Sequence, residues 1–241
     1  MAEIIIGRNA VLEALKNNRE IEKITLMKGS EGSAVKIAAK ARERKIPIYY
    51  SDRKHMDKMT SGGNHQGVIA VISDYRYCTV DDIIERAEKR NEDPFVIILD
   101  GIEDPHNLGA IMRTAECAGV HGIIIPKRRS ASVTETVAKT SAGAVEYMLC
   151  ARVSNIAGTV EQLKNRGLWI CACDMGDSMY YEHDLRGPVG LVIGGEGTGI
   201  SRIVKEKCDF ILSIPMKGRI SSLNASNAAA ILMYEIVRQR I

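Results

Sequence analysis

Apolar runs and amphipathic stretches alternate along the whole chain, in two successive styles. Over residues 1–75 the runs are short and mixed. IEKITLMKG reads as a strand, SAVKIAAKARERK as a helix, IPIYYSD as a strand, RKHMDKM as a short helix and VIAVISDY as a strand, with the glycine-rich turn Ser61–Gly67 before the last of them. From Pro94 the apolar runs become nearly continuous: PFVIILDG, GIIIP, LWICACD, VGLVIGG and DFILSIPM. Strands covered on both faces of a parallel sheet read this way. Between them LGAIMRTAECAGV, TETVAKTSAGAVEYM, NIAGTVEQLKNRG and TGISRIVKEKC have helical spacing. The chain therefore predicts an α/β protein in three parts. A small α/β domain spans 1–75. A charge-rich helical linker, TVDDIIERAEKR within 76–93, follows it. A larger α/β domain with a mostly parallel sheet fills 94–241.

Ligands of such sheets bind beyond the carboxyl ends of the strands, and three polar clusters follow strands here. The first is DPHNLGAIMRTAECAG, Asp104 to Gly119. Pro105 is expected to end the strand, Asn107 to cap the next helix and Gly109 to allow close backbone approach. Arg113 stands on an otherwise small and apolar helix, where it either reaches solvent by its stem or grips an anion. The second cluster is Gly194-Gly195-Glu196-Gly197-Thr198-Gly199. Its spacing fails the dinucleotide fingerprint G-x-G-x-x-G, it has no phosphate-loop Lys, and Glu196 would repel a pyrophosphate. The loop suits a ligand with a cationic or neutral polar part, such as the sulfonium of S-adenosylmethionine. A tight turn capped by Thr198 is the plainer reading. The third cluster, SIPMKGRISSLNASNAAAILMYE, crowds Ser221, Ser222, Asn224, Ser226 and Asn227 into the entry of a C-terminal helix. These are poor helix formers but good caps. Beyond them Ala228, Ala229, Leu232 and Ile236 form a packing face at helical spacing, which suits either a tight contact between subunits or a buried face within one chain.

Composition narrows the field. The 241 residues are 45% hydrophobic, enough for a real core, and only 5% aromatic, which argues against stacking platforms for single strands. Net charge is +3. Residues 1–75 carry 13 Lys and Arg against 9 Asp and Glu, and the remainder 20 against 21, so the positive excess that could meet phosphates lies at the start. Six cysteines show no metal-ligand spacing and read as free thiols, and no metal is expected. No catalytic Ser-His-Asp or Cys-His set stands out. The opening MAEIIIGRN lacks a signal-peptide pattern and no run is long enough for a bilayer, so a cytoplasmic protein is expected.

Together, DPHNLGAIMRTAECAG, LVIGGEGTGIS and SIPMKGRISSLNASNAAAILMYE resemble the three motifs of the SpoU (TrmH-like) class of SPOUT RNA 2′-O-ribose methyltransferases. The resemblance covers 94–241, and IIIGRNAVLEAL with HQGVIAVI is similar to the substrate-binding domain that precedes it in the rRNA-modifying branch. The nearest likeness is to enzymes acting on guanosine of large-subunit ribosomal RNA. The resemblance implies a C-terminal trefoil knot, S-adenosylmethionine as cofactor, and a homodimer with each site built across the interface. It gives Asn107, Arg113, Glu196, Ser222 and Asn224 catalytic roles. It assigns the cofactor to the backbone at Gly194, Ile214 and Leu223, and to Arg113 the activation of the ribose hydroxyl, from its own or the partner subunit. The alternatives are an rRNA adenosine enzyme of the antibiotic-resistance type, a tRNA enzyme, and an inactive RNA-binding dimer.

Overall fold

The computed structural model describes residues 3–17, 19–72, 75–176 and 178–241. It divides into two compact units, Met1–Arg76 and Tyr77–Ile241.

The first unit runs β1 (Glu3–Ile6), α1 (Arg8–Lys16), β2 (Ile21–Met27), α2 (Ser33–Glu43), β3 (Ile48–Ser51), α3 (Arg53–Met59) and β4 (Val68–Ile72). Its four-stranded sheet has the order β1-β4-β2-β3. β4 pairs antiparallel to β1 and β2, and β2 pairs parallel to β3. Val11, Ala14 and Leu15 of α1 and Ala34, Ile37 and Ala41 of α2 bury one core with Ile24, Leu26, Val68 and Ala70 of the sheet. Asp52 caps α3, accepting from the His55 amide at 2.8 Å. The end of the expected strand VIAVISDY, at Ser73 and Asp74, lies outside the described residues.

The second unit runs α4 (Val80–Arg90), β5 (Phe95–Asp100), α5 (Pro105–Cys117), β6 (Gly122–Pro126), α6 (Glu135–Thr140), β7 (Cys150–Val153), α7 (Ile156–Lys164), β8 (Trp169–Cys173), β9 (Val189–Gly194), α8 (Arg202–Lys205), β10 (Phe210–Leu212) and α9 (Ala225–Arg240). Six strands in the order β10-β8-β9-β5-β6-β7 pair in parallel throughout. β5 and β9 are neighbours in the sheet but far apart in sequence. The strand order reverses at this pair, where a crevice opens beyond the carboxyl ends. Helices α4, α7 and α8 supply Val80, Ile83, Ile84, Val160, Leu163 and Val204 to the core under the sheet, and α9 packs against α5, β8 and β9.

Several expectations are corrected here. The helix expected as a linker is a working part of the second unit. Ile83 is fully buried, and Gly122 of β6 leaves room for it, since a Cβ there would stand 2.5 Å from an Ile83 side-chain carbon. A sixth strand, CARV, was not foreseen because four residues show too little periodicity. TETVAKTSAGAVEYM is not one helix: α6 stops at Thr140, Ala142 and Gly143 turn left-handed, and a 3-10 turn follows over Ala144–Glu146. TGISRIVKEKC yields only the single turn α8. Of the α9 face given by Ala228, Ala229, Leu232 and Ile236, the last three are fully buried within one chain, and Ala228 is half-buried at the wall of the cavity described below. The face packs on α5 and the sheet, so it is not an intersubunit face.

Candidate active site

Asn107 does not cap α5. Pro105 starts that helix rather than ending the strand, and Asp104 caps it by accepting from the His106 amide at 2.9 Å. Asn107 lies one turn inward and is buried. Its Nδ2 donates to Glu196 Oε1 at 3.0 Å, while its Oδ1 accepts from Asn224 Nδ2 at 2.9 Å. Asn224 Nδ2 also donates to Glu196 Oε1 at 2.6 Å. The first turn of α5, the loop after β9 and the cap of α9 are thus tied into one triangle of polar groups. Asn224 does cap its helix: its Oδ1 accepts from the amides of Ser226 at 2.9 Å and Asn227 at 3.3 Å, and from the Ser226 hydroxyl at 2.6 Å.

The glycine loop has no room for side chains at its start. A Cβ on Gly194 would lie 2.3 Å from the Gly199 carbonyl carbon, and one on Gly195 would lie 2.2 Å from the Gly101 oxygen. The Gly195 amide donates to Asp100 O at 2.9 Å and the Ser201 amide to the Asp100 carboxylate at 2.8 Å. Asp100, which ends β5, therefore pins both ends of the loop. The sequence signal for this role is an acid closing a buried strand just before Gly101. Thr198 caps nothing, since α8 begins only after Ser201. Gly109 is needed for helix packing rather than for ligand: a Cβ there would meet Thr140 at 2.6 Å.

These loops wall a cavity of about 680 Å³ lined by Gly194, Glu196, Ile214, Ser222, Leu223 and Asn224, with Cys173 and Asp174 at its side. That volume suits a small-molecule site, typically ~300–1,000 Å³. Its described lining carries two carboxylates and no Lys or Arg: among the described residues Asp174 is paired with Lys205 at 2.7 Å, and Glu196 has only amide donors. Among the described residues the main-chain groups of Ile214 to Leu223 make no hydrogen bonds, leaving peptide donors and acceptors open. This chemistry fits a sulfonium cofactor with a planar heterocycle, and opposes a polyphosphate. Burial pushes the Cys173 thiol up to about 11, with the Asp174 charge adding to the effect. The residue stays a thiol and offers no thiolate that would compete for an electrophilic carbon.

Arg113 is not brought into the triangle. It stands exposed on α5, without an ion pair or hydrogen bond among the described residues. Ser222 is exposed and lines the cavity, also without a bonded partner among those residues. No group of three His, Cys, Asp or Glu among the described residues is placed to hold a metal, and no described helix is long and apolar enough to cross a membrane.

Residues 94–234 match the SpoU rRNA methylase family, and residues 4–78 match the substrate-binding domain of RNA 2′-O ribose methyltransferases. The chain belongs to the SpoU/TrmH family of RNA methyltransferases. It is an S-adenosylmethionine-dependent enzyme acting on RNA. YacO of Bacillus subtilis, named for the TrmH tRNA/rRNA methyltransferase family, is 48% identical over 240 residues, covering 99% of this chain and 96% of that protein. The SpoU methyltransferase AviRb of Streptomyces viridochromogenes, solved with the cofactor AdoMet, aligns over 98% of this chain and 90% of its own, with 25% identity and a TM-score of 0.63. The AdoMet-bound rRNA methyltransferase of Sinorhizobium meliloti aligns over 99% and 87%, with 25% identity and a TM-score of 0.61.

Proposed function

We propose that this SpoU-family enzyme methylates the ribose 2′-hydroxyl of a guanosine in large-subunit ribosomal RNA, as a cytoplasmic homodimer. The observation that carries the reading is the Asn107–Glu196–Asn224 triangle at the rim of an acidic cavity. Ribosomal RNA is supported by the full-length likeness to an rRNA methyltransferase and by the match of residues 94–234 to the SpoU rRNA methylase family.

S-adenosylmethionine, when bound, supplies an electrophilic methyl group on a sulfonium. The chain's part is placement and charge. Gly194, Ile214 and Leu223 would hold the cofactor through their peptide groups, with Ser222 adding a hydroxyl. Glu196 is fixed by two amide donors, so its charge faces the cavity without rearrangement. Arg113 binds an RNA phosphate and brings positive charge to the ribose. Its guanidinium is always protonated, so it orients and polarises the hydroxyl while a group of the RNA or solvent takes the proton.

Dimerisation is supported by the other side of α9, which leaves Ile231 and Tyr234 exposed beside buried Leu232 and Met233. The trefoil knot is part of the same proposal. In its favour, β8 lies between β9 and β10, and the chain leaving β10 returns through α9 to pack on α5. Mapping 2′-O-methylation in rRNA from cells with and without the protein tests the reading. One guanosine of the large subunit should lose its methyl group. An unchanged rRNA map with a lost tRNA methyl would contradict it.

A further inference from the structure

The first unit holds a second cavity, of about 460 Å³, which the methyl-transfer chemistry does not use. It is lined by Arg8, Arg53, Asp57 and the loop Gly62–Gly67. The loop is unusually shaped. Ser61, Gly62, Gln66 and Gly67 all have positive φ, and two of these are not glycine. Backbone held this way requires support from its surroundings. His65, 5% exposed, gives that support: its Nδ1 accepts from the Gly67 amide at 2.9 Å and its Nε2 meets the Asp57 carboxylate at 3.0 Å. Arg8 braces the same loop, with Nε donating to Gln66 O at 3.0 Å and NH1 to Ser33 Oγ at 3.4 Å. A Cβ on Gly63 would come within 2.7 Å of Ile6 Cδ1, so the loop lies tight against the sheet.

Two features stay uncommitted. Among the described residues, the main-chain N–H groups of Asn64, His65 and Gln66 have no acceptor. Arg53 is 81% exposed; among the described residues its ion-pair contact is to Asp57, 4.0 Å away, which is already engaged by His65. Consecutive peptide donors beside two guanidinium groups are an anion site. The positive excess of residues 1–75 favours a polyanion.

We propose that this pocket binds a backbone phosphate of the substrate RNA, gripped by Arg53, Arg8 and the loop amides. The proposal rests on the RNA-methyltransferase reading and adds the place where the first unit holds its substrate. A concave pocket accepts a phosphate thrust out of a non-helical strand better than one in a regular duplex, whose phosphates lie along a smooth ridge.

The test is fluorescence anisotropy of the full-length protein with a labelled fragment of large-subunit rRNA, over a range of salt. Arg53→Glu should weaken binding roughly tenfold or more and flatten the salt dependence by about one phosphate contact. Lys40→Glu, the same charge change at an exposed position of α2, should weaken it less than about twofold. Both variants should keep the wild-type circular dichroism spectrum and thermal unfolding curve, which certifies the first unit, and the same S-adenosylmethionine affinity by calorimetry, which certifies the second. A perfect duplex should compete poorly. Equal losses in the two variants, or no loss in Arg53→Glu, would overturn the pocket, and so would full competition by the duplex. Arg53-dependent binding without methylation by the wild type would uphold the pocket and refute the proposed reaction.

Discussion

The two ends of the parallel sheet treat polar groups in opposite ways. At the carboxyl ends of β5 and β9 the loops are built from glycine and main chain. The segment Ile214 to Leu223 is left without hydrogen bonds among the described residues, and the few fixed side chains converge on Glu196. At the amino ends of the same strands, long side chains tie the backbone down. The Phe95 amide donates to His121 Nδ1 at 3.0 Å, and His121 Nε2 meets Glu92 at 2.9 Å. Arg240, near the end of α9, donates to the carbonyls of Asp93 at 3.2 Å and Gly187 at 2.6 Å and lies over the Phe95 ring at 5.1 Å. One end is kept open for ligands and the other is stapled. Substitutions at the first should cost activity, and at the second stability.

The largest expected effect is that of Arg113→Ala. If Arg113 has the role proposed for it, removing its charge should lower kcat by about 10²–10³-fold. Calorimetry should find cofactor affinity unchanged, because Arg113 is exposed and does not line the cavity. Near-normal turnover would exclude it from the chemistry. Gly195→Ala comes next. Its methyl group would collide with backbone, so the loop must move, at a cost of about 1–3 kcal/mol. Cofactor affinity should fall with it, and a variant that binds normally would show that the loop is not the cofactor wall.

At the stapled end the pattern should invert. Arg240→Ala leaves the carbonyls of Asp93 and Gly187 without that donor and should cost about 1–3 kcal/mol of stability in denaturant titration. Its turnover at low temperature should match the wild type. The smallest effect is a pH dependence. Burial holds the His121 ring below its usual range, against the opposing pull of Glu92. The unfolded chain therefore takes up the proton first. Stability from this group is complete above about pH 6.5 and falls as pH drops below it. Unfolding curves of His121→Gln should lack that part of the slope.

The open end of the sheet was legible in the sequence and the stapled end was not, for a physical reason. Nearly continuous apolar runs bounded by turns fit strands covered on both faces, and β5, β6, β8, β9 and β10 fall in such runs, although the edge strand β10 leaves Phe210 and Ile211 half-buried. Polar residues that follow such strands gather beyond their carboxyl ends, and Asn107, Glu196 and Asn224 do meet there. Roles were harder to read than positions. Asn107 looks like a helix cap, but the true cap is Asp104, three residues earlier, because Pro105 prefers the first helical position. Asp100 and His121 act through backbone partners, which leave no trace in residue spacing. The burial of Ala229, Leu232 and Ile236 could not be told from an interface, since an intramolecular face and an intersubunit face share one pattern. The helix α4 misled by its charge: TVDDIIERAEKR hides Val80, Ile83 and Ile84, whose burial stabilises the second unit by about 1.5–3 kcal/mol each. A fragment meant to keep the cofactor site should therefore begin at Tyr77, not near Asp93.

The central claim, that the open end of this sheet directs a methyl group to a ribose oxygen, is tested most directly by following the label. Large-subunit rRNA from cells lacking the protein is incubated with methyl-labelled S-adenosylmethionine and wild-type enzyme or Arg113→Ala, then digested to nucleosides. The account predicts label in 2′-O-methylguanosine with the wild type and almost none with the variant. Label on a base, or equal labelling by both proteins, would contradict it.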